Sequence, residues 1–373
     1  MRVIMTGGGT GGHIYPAIAI ADEIKKREPE AQILFVGAER GLEKKLVPDR
    51  GYEIKLIQSA GLDRKNPLKN FKVARTVLKG NAQSKKIIKD FKPDFVVGTG
   101  GYASGPIVRA AQKAKIPTYI HEQNAFPGMT NKLLEKGVRN VFLGFDAAKK
   151  YFKMPEKLVT TGNPVRDEFM TGDRAKAREA LGYKPDEFVV LAFGGSQGAG
   201  RINKTMLNII RKVNGRDDIK VCLGAGTFYY NAILATLADE GIQLAENIQI
   251  IEYIKDMATY LLAADLVVSR SGALTVAETT VSGVPAIFIP SPMVTGNHQY
   301  YNALTVSEKG GAILVEEKDL DDEKLLAKII ELKENPEKVK YMAEKSKMCE
   351  QTNATEIVCD VIFRDCVKGF IDE

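Results

Sequence analysis

The chain has 373 residues, of which 44% are hydrophobic and 27% charged, and this length is enough for two globular domains with separate cores. No apolar run reaches the roughly 18 residues that a membrane-spanning helix needs. The first six residues are too few and too strand-like for a signal peptide. These observations exclude a membrane-spanning protein and predict a chain that stays in the cytoplasm.

The net charge of +6 is distributed unevenly. Residues 1–163 carry 29 Lys and Arg against 15 Asp and Glu, whereas residues 164–373 carry 24 against 32. A basic domain can bind nucleic acid, an anionic membrane surface or a phosphorylated substrate. The aromatic content of 8%, without a basic and aromatic stripe, gives nucleic acid little support. The four cysteines form no C-x-x-C pair, so we expect reduced, mostly structural thiols.

Short apolar runs alternate with helical stretches along the chain, which is typical of parallel sheets covered by helices. The predicted strands are residues 3–5, 33–36, 95–97, 118–120, 141–143 and 159–161, and then 188–193, 220–223, 248–251, 266–268, 286–289 and 312–315. Residues 162–187 carry turn residues and charges without a strand, so we place a domain boundary near Asn163 and Pro164. We therefore predict two Rossmann-like, doubly wound α/β domains, residues 1–163 and 164–373, whose last helix can return to the first domain.

The first predicted strand leads into a glycine-rich turn, residues 7–12, that matches the G-x-G-x-x-G pattern of dinucleotide-binding proteins. A helix follows, and its amino terminus favours an anion. NAD also requires an acidic residue at the end of the second strand. Here Glu39 comes slightly late and is followed by Arg40, which weakens the NAD interpretation without excluding it. The alternative is that the glycines only make a tight turn.

Two more glycine-rich turns, residues 98–106 and 194–199, also follow predicted strands. Ligands bind at the carboxyl ends of strands in open α/β sheets, and three such loops would face a common central cleft if the two domains stack edge to edge. A fourth segment, residues 269–280, joins a tight turn at Gly272 to a helix start with unpaired N–H groups. Glu278 lies one turn into that helix, where a carboxylate can accept both hydroxyls of a ribose. Its alternative role is to complement the helix dipole.

Seven motifs, which run in order along nearly the whole chain, are similar to the signatures of the MurG family. They are GGTGGH at 8–13, GTGGYASGP at 98–106, HEQN at 121–124, GNPVR at 162–166, GGSQGA at 194–199, RSGALT at 270–275 and HQYYNA at 298–303. Members of this family are bacterial GT-B glycosyltransferases that add N-acetylglucosamine to the lipid-linked muramyl-pentapeptide of peptidoglycan. The resemblance therefore implies a GT-B fold and an inverting transfer without a metal or other cofactor, in which the C4 hydroxyl of the acceptor attacks C1 of the sugar and UDP leaves.

The resemblance also implies the residues that bind the two substrates. Ile254 would contact the uracil through its backbone, Glu278 the ribose, and Gln299 the sugar hydroxyls. Ser196 and the helix start at Leu274 and Thr275 would hold the phosphates. The implied UDP-N-acetylglucosamine site comprises Thr10, Gly11, Gly12, Asn124, Arg166, Ser196, Ile254, Ala273, Leu274, Thr275, Val276, Ala277, Glu278 and Gln299. The diphosphate of the undecaprenyl-linked acceptor would lie at Gly9, Gly100, Gly101, Tyr102 and Ser104.

His13 is the candidate general base, because imidazole exchanges a proton near neutral pH and this residue directly follows the first glycine loop. Its alternative role is that of a helix-capping or core histidine. His121 and Glu122 form a second acid–base candidate, in which His121 fits a structural role at the end of its strand better. His298 stands where some family members have glutamine, so we do not expect it to be essential. The histidines form no cluster with metal-ligand spacing.

A basic segment, residues 66–79, suggests how the chain approaches a lipid. At helical spacing, one face would carry Lys69, Lys72, Arg75, Lys79 and Lys86, and another Leu68, Phe71, Ala74 and Leu78. Such a helix can lie on an anionic membrane surface or pack its apolar side on the sheet, and Gly80 is expected to interrupt it. We predict peripheral binding at the cytoplasmic face of the bacterial cell membrane, with other cell-wall synthesis proteins as further partners.

Two other enzyme classes are alternatives to this interpretation. A GT-B-like sugar-nucleotide epimerase or hydrolase would use the same donor site but would need catalytic carboxylates and no lipid surface. The basic segment and the 98–106 loop argue against it. An NAD-dependent oxidoreductase does not fit the 270–278 segment or the third glycine loop.

Overall fold

The computed structural model describes residues 1–60, 70–349 and 353–371. It divides the chain into two compact units, of which the first comprises Met1–Val165 with Asn353–Glu373 and the second Arg166–Thr352. The division thus falls between Val165 and Arg166, two residues beyond the boundary placed from the sequence. The end of the predicted second domain belongs to the first unit.

The first unit is built on a parallel seven-stranded sheet with the order β3-β2-β1-β4-β5-β6-β7. Its strands are β1 Arg2–Gly7, β2 Gln32–Ala38, β3 Glu53–Ile57, β4 Phe95–Gly100, β5 Thr118–Glu122, β6 Asn140–Leu143 and β7 Leu158–Thr160. All the strands predicted from apolar runs are present. They are buried because helices cover both faces of a parallel sheet. The edge strand β3 was not predicted, since its side chains alternate between exposed and half-buried positions.

Helices cover both faces of this sheet: α1 Gly11–Arg27, α2 Glu43–Leu46, α3 Asn70–Phe91, α4 Ser104–Lys113, α5 Met129–Leu134 and, from the end of the chain, α15 Ala354–Ile371. One core lies between α1, α15 and the sheet, where Val358 and Ile362 are fully buried. The other lies between α3, α4 and the opposite face. The Arg27 guanidinium pairs with the Asp360 carboxylate at 2.6 Å and adds a polar link between α1 and α15.

Helix α3 continues through Gly80, so the predicted interruption there is wrong. A Cβ at this position would lie 2.0 Å from the carbonyl oxygen of Gln58. Glycine is therefore required because α3 approaches the chain after β3 very closely. Residues 66–69 of the predicted basic helix lie outside the described residues, as do the side chains of residues 70–74. Farther along α3, Leu78 is 68% exposed and does not pack on the sheet.

The second unit has a parallel six-stranded sheet with the order β10-β9-β8-β11-β12-β13. The strands are β8 Phe188–Phe193, β9 Ile219–Gly224, β10 Ile248–Ile251, β11 Leu266–Ser269, β12 Ala286–Phe288 and β13 Ala312–Leu314. The helices are α6 Glu168–Thr171, α7 Arg174–Leu181, α8 Gly200–Val213, α9 Tyr230–Asp239, α10 Met257–Ala263, α11 Ala273–Val281, α12 His298–Ser307, α13 Asp322–Lys333 and α14 Pro336–Lys347. The prediction of two doubly wound α/β domains is confirmed.

In each sheet the strand order reverses once, between β1 and β4 in the first unit and between β8 and β11 in the second. A crevice opens at such a point because the connections on its two sides run in opposite directions. The loops that follow these four strands are the glycine-rich segments singled out from the sequence. Each sheet therefore presents two of them side by side.

Within the described part of the chain, no helix is both long and apolar enough to cross a membrane. The cysteines Cys222, Cys349 and Cys359 are free thiols. Burial raises the pKa of Cys222 and of Cys359 to about 12. These thiols remain protonated near neutral pH, as expected of structural cysteines.

Candidate functional site

The first glycine loop, residues 7–12, folds around the buried carboxylate of Glu43. The Gly9 N–H donates to Glu43 Oε2 at 2.9 Å, and the Ala38 N–H donates to Oε1 at 2.7 Å. A Cβ on Gly8 would lie 2.1 Å from Oε1. The Gly9 N–H is thus occupied within the loop, and the contact of Gly9 with the acceptor diphosphate remains a prediction.

The N–H groups of Gly11 and Gly12, which follow Thr10, begin α1 and have no acceptor among the described residues. Such groups at a helix start bind anions. Thr10 precedes them as the N-cap residue, and its side chain makes no capping hydrogen bond. The anion-binding capacity of the loop thus lies at its second half.

The second glycine loop, after β4, packs directly against the first. Gly100 and Gly101 have φ angles of +105° and +84°, which favour glycine. A Cβ on Gly100 would lie 2.8 Å from His13 Nδ1, and one on Gly101 would lie 2.2 Å from the Gly8 carbonyl oxygen. These two glycines are needed for the contact between the loops, whether or not they also touch a ligand.

The two remaining residues predicted for the acceptor site differ in exposure. Tyr102 is 63% exposed at the tip of the loop. Ser104 is fully buried, and its hydroxyl, which faces Gly98, has no hydrogen-bond partner among the described residues. The contact between Ser104 and the acceptor diphosphate remains a prediction, and in this structure the hydroxyl is covered by the loop.

His13 lies in the first turn of α1 with its imidazole between two acceptors. Its Nδ1 is 3.0 Å from the Thr99 carbonyl oxygen and 3.0 Å from Gln123 Oε1. Neither oxygen can donate, so Nδ1 carries the proton. Nε2 has no partner among the described residues, and the side chain is partly exposed. This nitrogen is therefore able to accept a proton from a ligand.

His121 has the structural role that the sequence favoured for it. It is fully buried at the end of β5, and its Nε2 donates to the Gly162 carbonyl oxygen at 3.0 Å. Burial lowers the pKa of His121 to about 4, although the Gly162 hydrogen bond acts in the opposite direction. The ring is neutral near neutral pH.

Glu122 holds the loop after β5 through four hydrogen bonds, and its acid–base role remains a prediction. Its Oε1 accepts from the Asn124 main chain at 3.0 Å and from the Asn124 amide at 3.2 Å. Its Oε2 accepts from the Gly128 N–H and the Asn131 amide, both at 2.9 Å. Four donors around a buried carboxylate hold it in one position, so these contacts favour an organising role that fixes Asn124.

In the second unit, the loop after β8 turns sharply through Gly195 and Gly198, whose φ angles are +94° and +85°. A Cβ on Gly198 would lie 2.1 Å from the Ala225 carbonyl oxygen. The turn exposes Ser196, whose own carbonyl oxygen accepts from the Thr227 N–H at 3.2 Å. The Ser196 hydroxyl is thereby presented at the switch point of this sheet.

The segment after β11 begins α11, with Gly272 as its N-cap residue. The Val276 N–H donates to the Gly272 carbonyl oxygen at 2.9 Å, so the unpaired donors are the N–H groups of residues 273–275. Val276 and Ala277 are fully buried. Their side chains belong to the core, and their contacts with the donor remain predictions.

Glu278 differs from Glu43 and Glu122, because its carboxylate has no hydrogen-bond partner among the described residues. Burial raises the pKa of Glu278 to about 7. The charge of Arg166 lowers this pKa, whereas that of Glu168 raises it. It is the sixth residue of α11 and so lies beyond the first turn, where the helix dipole acts most strongly. This position favours ligand binding over the dipole alternative.

Arg166 is held beside Glu278 by the short helix α6. Its Nη1 lies 2.5 Å from the Glu168 carboxylate, and its guanidinium lies 4.9 Å from the centre of the Phe169 ring. The Ser282 hydroxyl donates to the Phe169 carbonyl oxygen at 3.2 Å, which ties α11 to α6. The structure thus brings together two residues that are 112 positions apart in the sequence, Arg166 and Glu278.

Gln299 and Ile254 each leave backbone or amide groups available. Gln299 Oε1 accepts from the Ser291 N–H at 2.9 Å, so its amide nitrogen remains to donate. The Ile254 side chain is buried against Gly224. Its N–H and carbonyl groups have no partner among the described residues, as required for a backbone contact with a planar base.

Sequence reasoning missed the roles of Glu43, Gln123 and Arg270. Arg270 donates to the carbonyl oxygens of Ile289 and Pro290 at 3.0 and 3.1 Å, and it pairs with Glu317 in the turn after β13. Gln123 and Arg270 belong to motifs that were recognised, which is the only signal they offer. Glu43 stands in a lysine-rich stretch without any motif. Among the described residues, no group of three or more His, Cys, Asp or Glu is arranged to hold a metal ion.

We predict that the Glu43→Gln variant loosens the first glycine loop. An amide places an NH2 group against one of the two backbone donors, so one buried N–H loses its acceptor. This should lower the free energy of unfolding by about 1–3 kcal/mol. Chemical denaturation measures the change, and Lys44→Gln, at an exposed neighbour, is the matched control. Equal stability of both variants would contradict the role of Glu43.

Comparisons with known proteins agree with this architecture. The models of the glycosyltransferase family 28 N-terminal and C-terminal domains match residues 3–143 and 189–358. A protein of Acetivibrio thermocellus, 45% identical over 99% of both chains, and one of Desulforamulus reducens, 44% identical over 100% of this chain and 99% of its own, are similar to it. Both are named UDP-N-acetylglucosamine–N-acetylmuramyl-(pentapeptide) pyrophosphoryl-undecaprenol N-acetylglucosamine transferase.

Solved structures show the same fold. The crystal structure of Acinetobacter baumannii MurG superposes with a TM-score of 0.75 at 29% identity, over 97% of this chain and 99% of that one. A UDP-GlcNAc 2-epimerase from Neisseria meningitidis, bound to UDP-GlcNAc, gives a TM-score of 0.69 over 98% of this chain and 100% of its own. At 16% identity, that second likeness shows the fold alone. The matched domains and the near full-length relatives establish that the chain belongs to the MurG family of glycosyltransferase family 28.

Proposed function

We propose that this protein transfers N-acetylglucosamine from UDP-N-acetylglucosamine to the C4 hydroxyl of undecaprenyl-diphosphate-linked N-acetylmuramyl-pentapeptide, in peptidoglycan synthesis. The observation that carries the proposal is the 45% identity, over 99% of both chains, with a protein named for this transfer. The alternative of a sugar-nucleotide epimerase or hydrolase is not favoured, because the likeness to epimerase structures extends to the fold alone.

The second unit binds the donor in this proposal. Glu278 accepts the ribose hydroxyls, the main chain of Ile254 contacts the uracil, and the Gln299 amide donates to the sugar. The N–H groups of residues 273–275 and the Ser196 hydroxyl receive the diphosphate, since donors at a helix start stabilise negative charge. Among the described residues, these N–H groups and the Ser196 hydroxyl donate to no other acceptor.

In the chemical step, His13 Nε2 takes the proton of the acceptor C4 hydroxyl. The oxygen forms a bond to C1 of N-acetylglucosamine, and the bond from C1 to the β-phosphate oxygen breaks. The electron pair of that bond leaves with UDP, whose added charge is stabilised by the helix-start donors. A positioned base of this kind contributes about 10²–10⁴-fold to the rate. The proposed transfer uses no metal ion.

We further propose that the first unit binds the anionic surface of the cell membrane. A cavity of about 530 Å³ between α3 and α4 is lined by Lys85, Lys89, Lys92 and Lys113, together with apolar residues. It lies at the amino-terminal ends of β4 and β5, which is the end of the sheet opposite to the glycine loops. On α3 the exposed Leu78 stands beside the exposed Arg75 and Lys79. Lysines next to apolar surface are suited to anionic lipid.

The transfer itself is tested with labelled UDP-N-acetylglucosamine and a lipid-diphosphate-linked muramyl acceptor in the presence of EDTA. Label should reach the lipid. Release of free UDP or of an epimerised sugar nucleotide without labelled lipid would refute the proposal. We expect His13→Ala to lower kcat by about 10²–10⁴-fold, whereas His298→Gln should retain the wild-type rate. A His13→Ala enzyme with near wild-type kcat would remove His13 as the base.

Donor binding should depend on pH through Glu278. With a pKa of about 7, its carboxylate is present above that pH and is lost as the pH falls, so UDP-N-acetylglucosamine should bind about tenfold more weakly at pH 6 than at pH 8. Isothermal titration calorimetry measures the two dissociation constants. The Glu278→Gln variant should bind weakly at both pH values and show no such dependence. A wild-type constant that is the same at pH 6 and pH 8 would contradict this role.

Membrane binding is tested by co-sedimentation with vesicles of phosphatidylcholine with or without phosphatidylglycerol. The wild type should bind only the anionic vesicles and should dissociate at high salt. The triple variant Lys85→Glu, Lys89→Glu, Lys113→Glu should bind at least about 100-fold more weakly, since each base near the surface contributes about 1 kcal/mol. Its matched control replaces three exposed lysines of the second unit, Lys204, Lys324 and Lys340, by glutamate. An equal loss in both variants would reject the cavity as the contact surface.

A further inference from the structure

Three motifs of the first unit meet in one chain of hydrogen bonds. It runs from His13 after the first glycine loop, through Gln123 and His121 of the HEQN motif, to Gly162 of the GNPVR motif. We propose that Gln123 is a positioning residue, which couples His13 to His121 and so holds the His13 imidazole in the tautomer whose Nε2 can accept a proton. This inference rests on the proposed role of His13 in the transfer.

The orientation of the Gln123 amide follows from its partners. Its nitrogen lies 3.2 Å from the His121 carbonyl oxygen, which can only accept, so the NH2 group must be on that side. The same nitrogen lies 3.1 Å from His121 Nδ1. Gln123 Oε1 is thereby directed to the other side, where His13 Nδ1 is 3.0 Å away.

At the His13 end of the chain, both groups that face the ring nitrogen are hydrogen-bond acceptors. Gln123 Oε1 and the Thr99 carbonyl oxygen both face Nδ1, so the proton is bound there and the lone pair is at Nε2. When Nε2 takes a proton, the ring becomes a cation, and hydrogen bonds to charged groups are stronger than those to neutral ones. The Gln123 oxygen thus stabilises the product of the proton transfer more than its starting state.

The His121 end keeps the amide from reversing. His121 Nε2 donates to the Gly162 carbonyl oxygen, so its Nδ1 is left as an acceptor for the Gln123 NH2 group. Full burial keeps this ring neutral, and a proton on Nδ1 would oppose the NH2 group. The Asn163 amide also donates to the Gln123 carbonyl oxygen at 3.2 Å, which fixes the main chain of this residue.

The wild-type protein supplies the first test. The chain has three histidines, so ¹⁵N labelling of histidine gives three imidazoles, which His13→Ala and His298→Gln samples assign. At pH 7.5 we expect His13 to be protonated at Nδ1 and His121 at Nε2. Protonation of the neutral His13 ring at Nε2 would overturn the proposal, whatever the activity of any variant.

The second test compares two variants that each remove one buried hydrogen bond. Gln123→Met lacks the acceptor for His13, and it should lower kcat by about ten- to a hundredfold while the KM for the donor changes by less than about twofold. Its His13 signals should show a mixture of the two tautomers. Ser84→Ala removes the buried hydroxyl that donates to the Gly80 carbonyl oxygen of α3 at 2.8 Å, and it should lose similar stability while keeping the wild-type kcat and tautomer.

Two outcomes of this comparison contradict the proposal. One is an equal loss of kcat in both variants, which would assign Gln123 a structural role only. The other is a Gln123→Met enzyme with wild-type kcat and His13 signals. Failure of the proposed function is distinguishable from both, because the wild type itself would then label no lipid. Failure of the proposed role of His13 would appear as full transfer by His13→Ala, whereas the tautomer of the wild type is measured without any turnover.

Discussion

The site in the first unit depends on the close contact between the loops that follow β1 and β4. Thr99 links them twice, because its hydroxyl donates to the His13 carbonyl oxygen at 2.6 Å and its own carbonyl oxygen accepts from the His13 ring. Side chains at Gly7, Gly100 or Gly101 would occupy the space of this contact. The glycine-rich sequences are therefore needed first for the packing of backbone on backbone, and the position of the imidazole follows from that packing.

Three buried or partly buried glutamates show how one residue type divides between structure and function. Glu43 and Glu122 accept two and four hydrogen bonds and thereby fix the loops that carry the glycines and Asn124. Glu278 accepts none among the described residues, and its pKa is raised by burial. A carboxylate that is removed from water without donors is unfavourable, and ribose hydroxyls would supply the missing donors. In the proposed function, the lack of donors is what distinguishes the carboxylate that binds the ribose from the two that organise loops.

The sequence predicted the architecture well because the strands of a parallel sheet are continuous apolar runs, such as residues 188–193. It failed where a single side chain or contact decides the structure. The edge strand β3 alternates in exposure and lacks a continuous apolar run. Gly80 was predicted to interrupt a helix, whereas α3 continues through it and passes close to Gln58. Motif spacing places Glu122 beside Gln123 but does not reveal which of them is saturated by local donors. The same limit applies to Ser104 and Val276. Both lie near a helix start, and the sequence does not show that packing buries their side chains.

The helix α15 gives the chain an unusual order of assembly. Residues 166–352 form the second unit from one continuous segment, whereas the first unit needs its final helix to cover Ile14 and Ile18 of α1. During synthesis, which proceeds from the amino terminus, the second unit can therefore complete its fold while the first still exposes an apolar face. The half of the molecule that is made first is therefore the half whose packing waits for α15, and its apolar surface stays exposed until that helix has been made.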